Sequence, residues 1–170
     1  MNGVVLERLL ARGPVLGAGE AAVVLRSVGR GLLARHDDGT VHGAVGPAAV
    51  VIGRDGRVSL REPSLLPSSV PGVTADLQGF VRLARTLATA WCAGDRTRAE
   101  LLERCGVSAL ASGLPLALET LRVGAPWCDG ARLAAVAAEI TGPTPAITLP
   151  VPRSIEAVPA GERLDGRLSA

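Results

Sequence analysis

The sequence predicts a mainly α-helical domain carrying a small β hairpin. Two long stretches, residues 18–35 and 74–91, repeat apolar residues at helical spacing, and the stretch between Thr40 and Leu60 changes to strand-like alternation. Strands and helices do not alternate along the chain as a parallel sheet would require, and no internal repeat is present.

Residues 4–11 read as a short helix stopped by Gly13 and Pro14. In 18–35, Ala21, Val24, Leu25, Val28 and Leu32 make one apolar stripe, with Arg26 and Arg30 off it. Asp37, Asp38 and Gly39 then supply a turn. Val50, Val51 and Ile52 form a β-prone run, Arg54-Asp55-Gly56 turns the chain, and Val58 and Leu60 alternate around Ser59. A Pro- and Ser-rich loop over 63–71 leads into the helix at 74–91. Its buried side is expected to carry Leu77, Phe80, Val81, Ala84, Leu87 and Ala88, with Thr74 as its cap and Asp76 in the first turn. Further helices are expected at 96–105, at 107–121, interrupted or kinked at Pro115, and at 130–140. Residues 1–140 form one domain in this reading, and 141–170 a Pro-rich polar tail expected to be poorly ordered. The helices at 18–35 and 74–91 should pack antiparallel or obliquely, with the hairpin over their ends.

Composition narrows the chemistry. With 48% hydrophobic but only 2% aromatic residues, the core must be built from Ala, Val and Leu packed closely. A formal charge of +2 is too small an excess to indicate nucleic-acid binding. All 18 basic residues are arginine, so Schiff-base and lysine general-base mechanisms are excluded. Cys92, Cys105 and Cys128 are widely spaced and form no zinc pattern with His36 or His42, so buried free thiols are expected and no metal. No apolar run is long enough for a membrane span and no signal peptide is evident, which points to a cytoplasmic setting.

The segment His42-Gly43-Ala44-Val45-Gly46-Pro47-Ala48-Ala49-Val50 resembles the catalytic loop of eukaryotic-type serine/threonine protein kinases, usually His-Arg-Asp-Leu-Lys-Pro-x-Asn-Val. Asp55-Gly56-Arg57-Val58-Ser59-Leu60 is similar to the hairpin leading into the metal-binding Asp-Phe-Gly segment. Asp76-Leu77-Gln78-Gly79-Phe80-Val81 looks like the start of the family's central buried helix, and Gly130-Ala131-Arg132-Leu133 faintly resembles a late helix. The likeness covers about residues 4–140 and implies a kinase C-terminal lobe, of degenerate bacterial type, with the N-terminal lobe absent. It implies structural roles for His42, packed beneath the loop, and for Asp76, a buried carboxylate accepting backbone N–H bonds near His42.

The departures carry the functional expectation. Phosphoryl transfer needs a residue to orient the acceptor hydroxyl, ligands for Mg²⁺ and stabilisation of phosphate charge. Ala44 stands where the catalytic Asp belongs, Gly46 where the Lys belongs and Ala49 where the metal-binding Asn belongs. Glu62, followed by Pro63 and Ser64, replaces the Asp-Phe-Gly motif, and one carboxylate does not make a Mg²⁺ site. Gly17-Ala18-Gly19 is no phosphate loop, and the interval from Glu62 to Asp76 is short for an activation segment. The expectation is a catalytically inactive kinase-like binding, scaffold or regulatory module with no cofactor and no ATP binding. The alternatives are an atypical ATP-dependent kinase component completed by another chain, and a nonfunctional gene fragment. Ser59 and Ser64 lie outside any Gly-x-Ser-x-Gly elbow, which disfavours a hydrolase. His36, at a helix end, is expected to cap carbonyls or meet solvent. A protein partner or self-association is expected through a surface including Leu6, Leu9 and Leu10 with Val50 and Val51, and Trp127 is expected to be exposed for contact; nucleic acid and membrane are not expected partners.

Overall fold

The computed structural model describes residues 3–13, 16–61 and 72–142 in full and the backbone alone of 66–67 and 70–71. Glu62 and the tail from residue 143 onward, and so nearly all of the expected poorly ordered extension, lie outside the described residues.

Two long helices frame the molecule. Helix α2 (Ala18–Asp37) buries Ala21, Val24, Leu25, Val28 and Leu32, the stripe that its sequence spacing predicts. Its first turn is held by the Glu20 carboxylate, which accepts from the Gly17 N–H at 2.9 Å and satisfies one orphan donor. Helix α3 (Val70–Trp91) buries Phe80, Leu83, Ala84, Leu87 and Ala88. It begins four residues earlier than the spacing suggests, so Thr74 is not its cap and Asp76 stands in its second turn. His36 of α2 meets Asp76 of α3, and Gly29 lies against Phe80, so the two helices pass in opposite senses.

The short β elements cover one side. Strands β1 (Gly3–Val5), β3 (Val50–Gly53) and β4 (Val58–Leu60) make an antiparallel sheet in the order β1-β3-β4, while β2 (Thr40–Val41) pairs with β5 (Leu66–Pro67). The β3–β4 turn depends on Gly56 at φ 78°, and the Asp55 carboxylate accepts from the Arg57 N–H at 3.1 Å. Val50 and Ile52 point into the core, as the period-two pattern requires.

Residues 4 and 5 are not helical. Val4 pairs with Ile52 and Val5 with Val51, and only Leu6–Leu10 forms a helix (α1). Two β-branched residues beside the free edge of β3 gain more from the ladder than from one extra helical turn. This pairing also corrects the expected interface. Leu6 and Leu9 are 0% and 1% exposed, Val50 is buried, and Leu10 and Val51 are half-buried. The first strand and helix fold inward and close the core on that side.

Helix α4 (Arg96–Ser112) runs through the position where two helices were expected, and the break falls at Gly113, φ 89°, before α5 (Leu114–Gly124). Pro115 therefore occupies the first turn of α5, where its missing N–H costs nothing, and does not kink a helix. Asp95 caps α4 by accepting from the Arg98 N–H at 3.1 Å. Helix α6 (Ala131–Thr141) closes the fold against β1 and β3, and its Ala134 backbone packs on Gly56. No described helix is long and apolar enough to cross a membrane.

Candidate functional site: a loop stapled to a buried helix

The turn after α2 delivers the chain to its most constrained segment. Asp38 and Gly39 (φ 71°) reverse the backbone, and the Thr40 hydroxyl donates to the Arg35 carbonyl at 3.1 Å. His42, Gly43, Ala44 and Val45 then cross the second and third turns of α3.

Asp76 fixes this crossing. It is fully buried, and its carboxylate accepts from the His42 N–H at 2.8 Å, the Gly43 N–H at 2.7 Å and His36 Nε2 at 3.0 Å. A buried carboxylate without donors would be strongly unfavourable, and these three supply charge-assisted bonds to both of its oxygens. Gly43 sits at φ 80°, a conformation that turns two successive N–H groups toward one acceptor and that a side chain would strain.

One turn along α3, Gly79 makes room for the same loop. A Cβ at that position would fall 2.6 Å from Val45 Cβ and 2.7 Å from the Val45 carbonyl oxygen. The loop backbone therefore lies directly on the helix, and Val45 is buried there. Asp76 and Gly79 are three residues apart and share one helix face. The first attracts the loop and the second lets it approach.

His42 is enclosed by its own hydrogen bonds. Its Nε2 lies 2.8 Å from the Arg61 carbonyl oxygen, which can only accept, so Nε2 carries the proton. Its Nδ1 accepts from the Ala44 N–H at 3.3 Å. Both nitrogens are engaged and the residue is 1% exposed, so the ring cannot take a proton from a substrate. It ties the loop to the chain leaving β4, where the Arg61 N–H also donates to the Ala49 carbonyl.

The loop presents little else. Ala44 is exposed at its tip, Gly46 and Ala49 are half-buried, and Pro47–Ala49 forms a single 3-10 turn. Elsewhere, the three-stranded sheet and its β3–β4 turn bound a groove of about 490 Å³ lined by Gly3, Val51, Gly53, Arg54, Asp55, Arg57 and Ser59. Arg54 at its rim donates to the Thr141 hydroxyl at 2.9 Å and to the Thr141 carbonyl, which pins the end of α6. Among the described residues, no three His, Cys, Asp or Glu side chains converge to hold a metal ion.

A solved structure of a divergent kinase that lacks the glycine-rich loop, and that regulates membrane ultrastructure of the Toxoplasma parasitophorous vacuole, is similar to this chain. It aligns with probability 1.00 and a TM-score of 0.55 at 17% identity, covering 80% of this chain and 51% of that one. The fold is kinase-like. At this identity the similarity reports fold alone, and the present chain spans about half the length of that kinase. No protein-family model matches the chain, and no curated protein matches it.

Some residues lie where sequence reasoning did not put them. Among the described residues His36 caps no carbonyl with its ring: it is a third donor to Asp76, with a side chain 14% exposed. Gly79, not singled out as a site residue, decides how closely the loop approaches α3. Its signal was a glycine in the middle of an apolar helix, where a conformational reason is absent and a packing reason is therefore expected. Trp127 is half-buried, and the Arg98 guanidinium stands 4.8 Å from its ring centroid. The large apolar side chains exposed among the described residues are Val107, Leu110, Leu116 and Val123, on α4 and α5 and not near Leu6.

Proposed function

We propose that the chain is a kinase-like binding or scaffolding module, corresponding to a C-terminal lobe, that does not transfer phosphoryl groups. The single observation behind this reading is the contrast within one loop. Its backbone is held by Asp76, Gly79 and the doubly bonded His42, yet the side chains at the three reactive positions are the methyl of Ala44, the hydrogen of Gly46 and the methyl of Ala49. A methyl group neither accepts the proton of an attacking hydroxyl nor ligates Mg²⁺. The framework of the site is thus kept without its chemistry, which suits a protein whose surface is its product. The kinship in fold with a divergent kinase lacking the glycine-rich loop supports the same reading.

Titration of the full chain with Mg²⁺-ATP by calorimetry, together with a radiolabelled-phosphate transfer assay on a basic protein substrate, tests the proposal. The expected result is no Mg²⁺-dependent saturable heat and no transfer. Transfer that vanishes on Asp76→Ala, while a folded Asp38→Ala variant retains it, would overturn the reading.

A further inference from the structure

A second feature lies away from the loop, where α2 and α5 meet. The two helices approach closely because residue 29 is glycine: a Cβ there would come within 2.9 Å of the Leu118 side chain. Leu118 and the partly buried Leu33 floor a shallow cleft of about 310 Å³ beside this contact, and Arg26, Arg30 and Arg122 line it. The volume is at the lower end of roughly 300–1,000 Å³ for small-molecule sites, enough for an aliphatic side chain and its neighbours.

The charges are arranged unevenly. Glu119 holds the Arg122 guanidinium with two bonds of 2.6 and 2.7 Å, fixing it in place, and that pairing keeps the Glu119 carboxyl below its ordinary range. Arg26 and Arg30 stand one turn apart on α2, and among the described residues neither makes an ion pair with a carboxylate. The cleft therefore gathers three guanidiniums around an apolar floor, one of them paired with its single lining carboxylate, Glu119, and one, Arg26, also close to the Cys128 thiol.

We propose that this cleft is a docking site for an acidic peptide segment of a protein partner, with an aliphatic anchor residue flanked by carboxylates. Planar guanidiniums suit bidentate carboxylate recognition, and the aliphatic anchor removes Leu33 and Leu118 from water. A nucleic acid fits less well, because the floor provides no aromatic ring for base stacking. The site does not depend on the loop reading, so its failure leaves that reading standing.

The test uses the full chain and three fluorescent probes: a glutamate octapeptide with two central leucines, an all-glutamate octapeptide, and a uridine oligonucleotide. Anisotropy at low and at physiological salt reads binding. The leucine-containing peptide should bind at least ~5-fold more tightly than the all-glutamate peptide and the oligonucleotide, and R26E/R30E should weaken it at least ~10-fold. Circular dichroism and melting of R26E/R30E should match the parent, and R26Q/R30Q provides the same comparison if charge reversal unfolds the chain. Absence of binding, equal binding of the all-glutamate peptide, preference for the oligonucleotide, or unchanged affinity in the folded arginine variants would each overturn the proposal.

Discussion

The loop at His42 and helix α4 both rest on α3, with α5 packed on α4 and α2, and the two regions are held by opposite means. The loop is fastened by a few directed bonds converging on one carboxylate, with one glycine allowing the approach. The α4–α5 layer is fastened by close contact between small residues. A Cβ on Gly106 of α4 would meet Ala84 Cβ at 3.0 Å, a Cβ on Gly124 of α5 would meet Leu101 Cδ1 at 2.6 Å, and the Cys105 thiol donates to the Ala117 carbonyl at 3.4 Å. Directed polar bonds fail together when their shared atom is lost, whereas dispersion contacts are individually tiny and fail by degrees. The difference implies that substitutions at the loop should be abrupt in effect, and those in the layer graded.

Removing the shared acceptor is the strongest way to break that comparison. Asp76→Ala should cost roughly 3 kcal/mol, since it leaves the buried His42 N–H and the part-buried Gly43 N–H without their acceptor, while Asp38→Ala in the exposed turn should stay within about 0.5 kcal/mol. Urea denaturation of both variants measures this; similar midpoints would mean that Asp76 is not the staple. Gly79→Ala should follow at roughly 2 kcal/mol, although alanine is the better helix former by about 1 kcal/mol. A Gly79→Ala variant more stable than the parent would show that the loop moves aside freely.

The thiols probe the other region through pH. Burial pushes the Cys105 thiol up to about 12 and, with the nearby Asp95 carboxylate, the Cys92 thiol up to about 11, both from 9.0. Their folded pKa is the higher one, so the unfolded chain loses these protons first as pH rises. Their contribution is complete below pH 9 and declines above it, by about 1.4 kcal/mol per pH unit for each thiol until its folded pKa is reached. Stability measured from pH 8 to 10.5 should therefore fall, and Cys105→Ala should make that fall shallower whatever its effect at neutral pH. A slope unchanged by the substitution would show that Cys105 ionises as freely folded as unfolded. The smallest effect expected is at the periphery of the staple: His36→Ala removes one of three donors at a site solvent can reach, and should cost about 1 kcal/mol. A loss equal to that of Asp76→Ala would make His36, and not the backbone donors, the main support of the carboxylate.

Much of this architecture was legible before the structure. The stripes of α2 and α3 and the Asp-Gly turn of the hairpin are local patterns, and local patterns survive in sequence because burial recurs at 3.6 or 2 residues. Resemblance singled out His42 and Asp76 and the empty positions Ala44, Gly46 and Ala49. The helix end at Ser112 was misplaced for a physical reason: Gly106 and Pro115 resemble breaks, yet the glycine serves a close contact and the proline stands in a first turn where it does no harm.

Sequence alone determined that this chain is mainly helical with a small hairpin, that it holds no lysine, and that Ala44, Gly46 and Ala49 carry no acid, base or amide. Tertiary structure decided which apolar residues are hidden and which polar groups meet. Val4 and Val5 became a strand because β3 offered an edge, and that pairing turned Leu6 and Leu9 inward. His36 joined Asp76 across 40 positions because two oppositely running helices bring their ends together. Gly79 received Val45 because a loop packed on that face of α3. Each of these depends on a partner distant in the chain, and periodicity, which registers only near neighbours, carries no information about it.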